Sequence, residues 1–288
     1  MSHITIKSNP TLKGMVEIIP DIVFSESTLK LQIINPWWDR VNDKTPSYPA
    51  VVFVQGSGWT FPNVWTEVPQ LCRLAEKGYV VATITHRNSL EGHPFPACLK
   101  DVKTAIRFLR CRGREYGIDT DKIGIWGTSS GGNLALLTAL TIGDERYKTD
   151  EYKEYSDSVD YCVACFPPTD LVESMKDEDF SKDLKETFIA LSGGHIDESM
   201  SVLREMSPYH IVKDMVKEKS NVNLPPILIA HGDSDKLIPY NQGRKMYDVL
   251  LELNAEADMV TVKDADHEGA FWSREILDII FEFIENWR

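Results

Sequence analysis

A serine framed by glycines at 127–131, Gly-Thr-Ser-Ser-Gly, is the pattern in this sequence that speaks most directly of chemistry. It follows an aromatic and β-branched run at 122–126 that reads as a strand, and precedes a nearly all-apolar stretch at 133–142 that reads as a buried helix. A strand that reverses sharply into a helix forces its pivot residue into a strained backbone conformation. Glycines on both sides remove the clashes, and the pivot side chain is pushed outward. Ser129 holds that pivot at the C-terminal edge of the sheet, where the amides of the helix N-terminus face any oxygen placed beside it. Its rival is Ser130; the spacing to both glycines favours Ser129 as nucleophile and leaves Ser130 to donate its backbone N–H.

A serine hydroxyl attacks well only when a base takes its proton and an acid orients that base. Of the seven histidines, His267 lies in KDADHEGA, a polar loop between the last strand and the last helix that overhangs the same sheet edge. His3 sits in the N-terminal tail, His93 in a loop before a helix, and His195 and His210 in a helical stretch where solvated or capping roles are expected. His86 ends a strand but precedes Ser129 in the chain, and His231 opens a turn that it is expected to stabilise. The acid is expected in HGDSDKLIP at 231–239. There Asp235 is preferred, because three residues past Gly232 the loop has turned before the carboxylate is presented, whereas Asp233 beside the glycine suits an Asx-type turn. Amides for an oxyanion come from VVFVQGSGW at 51–59, where a strand loosens into Gly56, Ser57 and Gly58. The same stretch fails as a dinucleotide fingerprint, since its third glycine would fall at Phe61. No metal motif and no cofactor signature accompanies these residues. Cys162 and Cys165 form a C-x-x-C in an apolar run; a separation of three along a strand points them to opposite faces, so they read as small buried hydrophobes.

The rest of the 288-residue chain reads as the frame for these groups. Thirty-one Lys and Arg against 44 Asp and Glu give a net charge of −13, which disfavours nucleic acid and anionic lipid surfaces. The N-terminal stretch lacks the pattern of a signal peptide, and no apolar segment approaches the roughly 20 residues that span a bilayer. With five cysteines, an odd number, and no glycosylation sequon, a soluble cytoplasmic protein is expected. Short β-branched runs at 50–54, 79–84, 122–126, 160–166, 226–230 and 257–262 alternate with helical patterns at 67–77, 96–112, 133–142, 241–253 and 274–287. That alternation predicts an α/β fold, a mostly parallel sheet flanked by helices. Runs at 16–24 and 29–34 are close enough to pair as an antiparallel hairpin. Residues 171–224, acidic and helical in propensity, interrupt the alternation and are expected to form a small cap over the strand ends of a single domain spanning 1–288.

With these pieces in place the sequence resembles the α/β-hydrolase superfamily, and within it the small carboxylesterases related to acetyl xylan and feruloyl esterases and to the hormone-sensitive-lipase group. QGSGW at 55–59 is similar to that family's H-G-G-G-W, residues 93–110 to its helix before the elbow, GTSSGG to the elbow, HGDSDKLIP to the acid loop and DADHEG to the histidine loop. Gln55 stands where the family has His, and Ser57 where it has Gly. The resemblance implies a Ser129, Asp235, His267 triad, oxyanion donors at Ser57, Gly58 and Ser130, and Trp59 beside the acyl or alcohol pocket or anchoring the loop. It implies hydrolysis of short acyl or aryl esters, with acetyl or feruloyl groups on plant-derived xylo-oligosaccharides as the leading substrates. The alternatives are a prolyl-oligopeptidase-like peptidase, an arylformamidase-like amidase, and a non-catalytic homologue that binds a small ligand. Trp37 and Trp38, at the far end of an antiparallel strand, are expected to serve packing or a homodimer contact rather than sugar binding.

Overall fold

The computed structural model describes residues 2–40, 44–178, 180–194, 196–220 and 222–287, with backbone only at 196–198; His195 lies outside the described residues. Among them, eight strands form one sheet: β1 (Val16–Val23), β2 (Lys30–Pro36), β3 (Tyr48–Val54), β4 (Val80–Ile84), β5 (Ile118–Thr128), β6 (Cys162–Cys165), β7 (Ile227–Gly232) and β8 (Ala257–Val262). Their spatial order is β1-β2-β4-β3-β5-β6-β7-β8. The expected hairpin forms: β1 pairs antiparallel with β2, and β2 antiparallel with β4. All pairings from β4 through β8 are parallel. This is the α/β-hydrolase fold.

The apolar runs are continuous because the central strands are buried on both faces. Alternate residues divide between two cores. Val52 and Val54 join the face covered by α2 (Ala97–Arg112), α3 (Ser130–Leu140) and α8 (Asn241–Glu252). Val51 and Phe53 join the face covered by α1 (Val68–Glu76) and α9 (Arg274–Asn286). Cys162 falls in the first core and Cys165 in the second, and both thiols are free, as the period of two along a strand requires. Burial pushes the Cys165 thiol up to about 12. The stripe expected on α2 is present: Val102, Ala105, Ile106 and Leu109 are all fully buried. From the same helix the buried Lys103 ammonium donates to the Thr141 carbonyl at 2.6 Å and to Asp157 Oδ2 at 2.7 Å, tying α2 to the end of α3.

At the pivot two boundaries differ from the pattern. Strand β5 runs on to Thr128 and helix α3 starts at Ser130, so a single residue separates them instead of a short loop. The intervening stretch between β6 and β7 forms α4 (Leu171–Lys176), α5 (Lys182–Leu191), α6 (Ile196–Glu205) and α7 (Pro208–Lys217), with no strand among its described residues. It meets the start of α3 through Asn133, whose Nδ2 donates to the Pro168 and Met206 carbonyls, each at 2.9 Å. Of the tryptophans after β2, Trp38 is buried under the Arg40 guanidinium and Trp37 is exposed. Among the described residues, no helix is long and apolar enough to cross a membrane.

Candidate active site

The pivot between β5 and α3 is strained. Ser129 has φ 52° and ψ −123°, a region that side-chain-bearing residues rarely occupy. Its N–H donates to the Cys165 carbonyl at 2.9 Å, and its own carbonyl accepts from Asn133 N–H at 3.0 Å, so neighbouring strand and helix hold the conformation. The flanking glycines are required by contact. A Cβ on Gly127 would lie 2.0 Å from the Gly131 carbonyl oxygen, and one on Gly131 would lie 2.0 Å from the Val54 carbonyl oxygen. These are backbone atoms and cannot swing aside. Gly131→Ala is therefore expected to destabilise the fold by more than about 3 kcal/mol; denaturant unfolding reads it, and a change below about 1 kcal/mol would contradict the packing account.

The loop after β8 brings His267 over this pivot. Its Nε2 lies 3.0 Å from Ser129 Oγ, and its Nδ1 lies 2.7 Å from Asp235 Oδ2. An ionised carboxylate only accepts, so Nδ1 carries the proton and Nε2 presents its lone pair to the serine hydroxyl. The imidazole is seated by two neighbours that the sequence reading did not single out. Phe166, at the end of β6 with φ 39°, packs edge-on against its ring at 4.6 Å. Asp266 Oδ1 accepts from the His267 N–H at 2.8 Å and from the Lys236 N–H at 2.9 Å, joining the histidine loop to the acid loop.

Asp235 is surrounded by donors. Its Oδ1 accepts from the Leu237 and Ile238 amides at 2.9 and 2.8 Å, while Oδ2 lies 2.7 Å from His267 Nδ1 and 3.2 Å from His231 Nε2. Burial alone would raise its pKa. Hydrogen bonds from His231 and His267 override it and hold the carboxyl well below the usual range. His231 thus serves its turn, with Nε2 also 2.9 Å from the Ile238 carbonyl. Asp233 makes no local Asx turn; its Oδ1 accepts from the Asp264 N–H across the gap between loops. Two other histidines are engaged elsewhere: buried His86 with the Arg87 carbonyl, and His210 with Asp170 and Arg204.

The loop after β3 lies directly against the pivot. A Cβ on Gly56 would come within 2.8 Å of the Ser129 Cβ, which is why a glycine stands there. Ser57, expected among the oxyanion donors, has its N–H directed at Ser130 Oγ at 2.9 Å. Trp59 is a loop anchor rather than a pocket wall: it is 1% exposed, its indole N–H donates to Asn133 Oδ1 at 3.2 Å, and its ring meets Phe188 of α5 edge-on.

Gln55, which replaces the family's histidine, donates from Nε2 to Glu67 Oε1 at 3.3 Å. Burial, with the Glu268 carboxylate beside it, pushes the Glu67 pKa from 4.5 up to about 7. Below the unfolded-state value the group is protonated in both states. As pH rises from there to about 7, the unfolded chain releases its proton first, and the folded state loses stability by the difference. Glu67→Gln is thus expected to raise Tm by a few degrees near pH 8 and to leave it unchanged near pH 4. Calorimetry at the two pH values checks this, and an equal shift at both would place the effect outside the titration of Glu67.

Comparison with known proteins agrees with this architecture. A family model described as BD-FAE matches residues 40–250. Esterase LipC of Mycobacterium tuberculosis (strain ATCC 25618 / H37Rv) is 30% identical over 216 residues, covering 74% of this chain and 51% of LipC. The chain spans about half the length of the curated relatives it matches. Among solved structures, a truncated form of a carbohydrate esterase from gut microbiota superposes with TM-score 0.80 at 24% identity, covering 97% of this chain and 99% of that one. A bifunctional GH43-CE protein of Bacteroides eggerthii gives TM-score 0.77 at 28% identity, covering 94% of this chain and 38% of that one. Because the family match covers residues 40–250, well over half of the sequence, the chain belongs to the BD-FAE family.

Proposed function

We propose that this protein is a serine carboxylesterase acting on short acyl or aryl esters through Ser129, His267 and Asp235. The observation that carries the reading is the unbroken hydrogen-bond chain from Ser129 Oγ through both imidazole nitrogens to a buried carboxylate. Ser129 Oγ attacks the ester carbonyl carbon as its proton passes to His267 Nε2, and the carbonyl π pair moves onto oxygen. Backbone N–H groups at Gly58 and Ser130 take the developing charge. Collapse of the tetrahedral species expels the alcohol, which leaves with the proton from His267. Water, deprotonated by the same nitrogen, then releases the acid and restores Ser129. Asp235 stabilises the imidazolium formed in both halves. These steps need no cofactor.

For substrate, we propose acetyl or feruloyl-type esters on plant-derived xylo-oligosaccharides, with the helices of 171–217 capping the site. One structural neighbour, described as a carbohydrate esterase, supports the carbohydrate half of this reading. Acid release from acetylated xylo-oligosaccharides, methyl ferulate and a prolyl arylamide, followed side by side, tests it. Acetate or ferulate release is the expected result. Cleavage of the arylamide alone would move the assignment to a peptidase or amidase; silence on all three with Ser129 labelled by a fluorophosphonate would overturn the substrate class, and silence without labelling would favour a ligand-binding homologue.

A further inference from the structure

The oxyanion loop is held against the nucleophile by the two residues that flank it in sequence. The Gly56 N–H donates to Thr128 Oγ1 at 2.8 Å, and the Ser57 N–H donates to Ser130 Oγ at 2.9 Å. Thr128 is 0% exposed and Ser130 1%, so both acceptors are withdrawn from bulk water. The contact is also close in van der Waals terms: a Cβ on Gly56 would sit 2.9 Å from the Thr128 carbonyl oxygen and 2.8 Å from Ser129 Cβ. Strand β5 pairs with β3 up to Val54 and Gly127, so the two hydroxyls take over where the ladder ends. An amide committed to a buried hydroxyl is not at hand for an oxyanion. That leaves the Gly58 N–H, without an acceptor among the described residues, and the Ser130 N–H, unpaired by its place in the first turn of α3.

We infer that Thr128 and Ser130 are positioning residues whose hydroxyls clamp the oxyanion loop through Gly56 and Ser57, so that the oxyanion is received by Gly58 and Ser130 N–H rather than by Ser57. The inference rests on the esterase reading above and specifies how that site is held in register. Without either hydroxyl, a half-buried amide loses its acceptor and the loop shifts; a displacement of the order of 1 Å at a reacting centre can lower turnover about 100-fold.

Thr128→Val keeps the shape and removes the acceptor, Thr128→Ser keeps the acceptor, and Ser130→Ala removes the second one. With a chromogenic acetate ester, Thr128→Val and Ser130→Ala are expected to lower kcat roughly 10- to 100-fold while KM stays within about threefold, and Thr128→Ser is expected to restore kcat. Amide hydrogen exchange gives a readout that needs no turnover. Exchange should accelerate at Gly56 in Thr128→Val and at Ser57 in Ser130→Ala, with Gly58 unchanged in both. Unaltered exchange at Gly56 and Ser57, or kcat within about twofold of wild type in both variants, overturns the clamp. If Thr128→Val does not fold, Thr128→Ser decides: loss of Gly56 protection there overturns the clamp, and its retention supports it. Wild-type protein that hydrolyses no ester overturns the esterase reading and leaves the clamp to be judged by exchange.

Discussion

Replacement of Ser129 by alanine is expected to lower ester kcat by roughly 10⁴- to 10⁶-fold and to abolish covalent labelling by a fluorophosphonate. The magnitude follows from the position. Ser129 Oγ is the hydroxyl in contact with His267 Nε2, at 3.0 Å, and the backbone at φ 52° aims it there. Alanine takes the same φ with the same strain, so the variant should unfold at nearly the wild-type denaturant concentration. Activity within about tenfold of wild type would mean another nucleophile, and the neighbouring Ser130 is the one to examine.

Asp235→Asn is expected to lower kcat by about 10⁴-fold, with a loss of stability as well. The carboxylate receives donors at both oxygens: the Leu237 and Ile238 amides on one, His267 and His231 on the other. An asparagine has one oxygen and one NH₂, so in either orientation a donor faces donors. With NH₂ toward His267, the imidazole must turn its lone pair to Nδ1, and Nε2–H can no longer take the serine proton. With NH₂ toward Leu237 and Ile238, two amides lose their acceptor and the acid loop loosens. Steady-state kinetics and thermal unfolding together check this. A variant with wild-type kcat would remove Asp235 from the proposed mechanism.

How much of this was legible in the sequence depends on whether its cause is local. The pivot is a local device, so its glycines, its strand and its helix all declare themselves within residues 122–142, as does the period-of-two argument that sends Cys162 and Cys165 to separate cores. The acid and histidine loops follow from chain order and the ends of successive strands. What was hidden depends on which residues meet after folding. Nothing near Glu67 in sequence announces Glu268 as its neighbour, nor Phe166 as the support of His267, since those contacts bridge different strand ends. Trp59 reads equally well as anchor or pocket wall until Asn133 and Phe188 are seen around it. Ser57 looks like an oxyanion donor by its place in the loop, and only the hydroxyl of Ser130 shows where its N–H is directed.

The most direct test of the central claim is to trap the acyl-enzyme. Wild-type protein mixed with excess p-nitrophenyl acetate, acid-quenched within milliseconds and analysed by peptide mass spectrometry should carry one acetyl group on Ser129, with a matching burst of nitrophenol. His267→Ala should carry none. Full turnover with neither burst nor adduct, or an acetyl group on a different residue, would contradict a mechanism built on Ser129, His267 and Asp235.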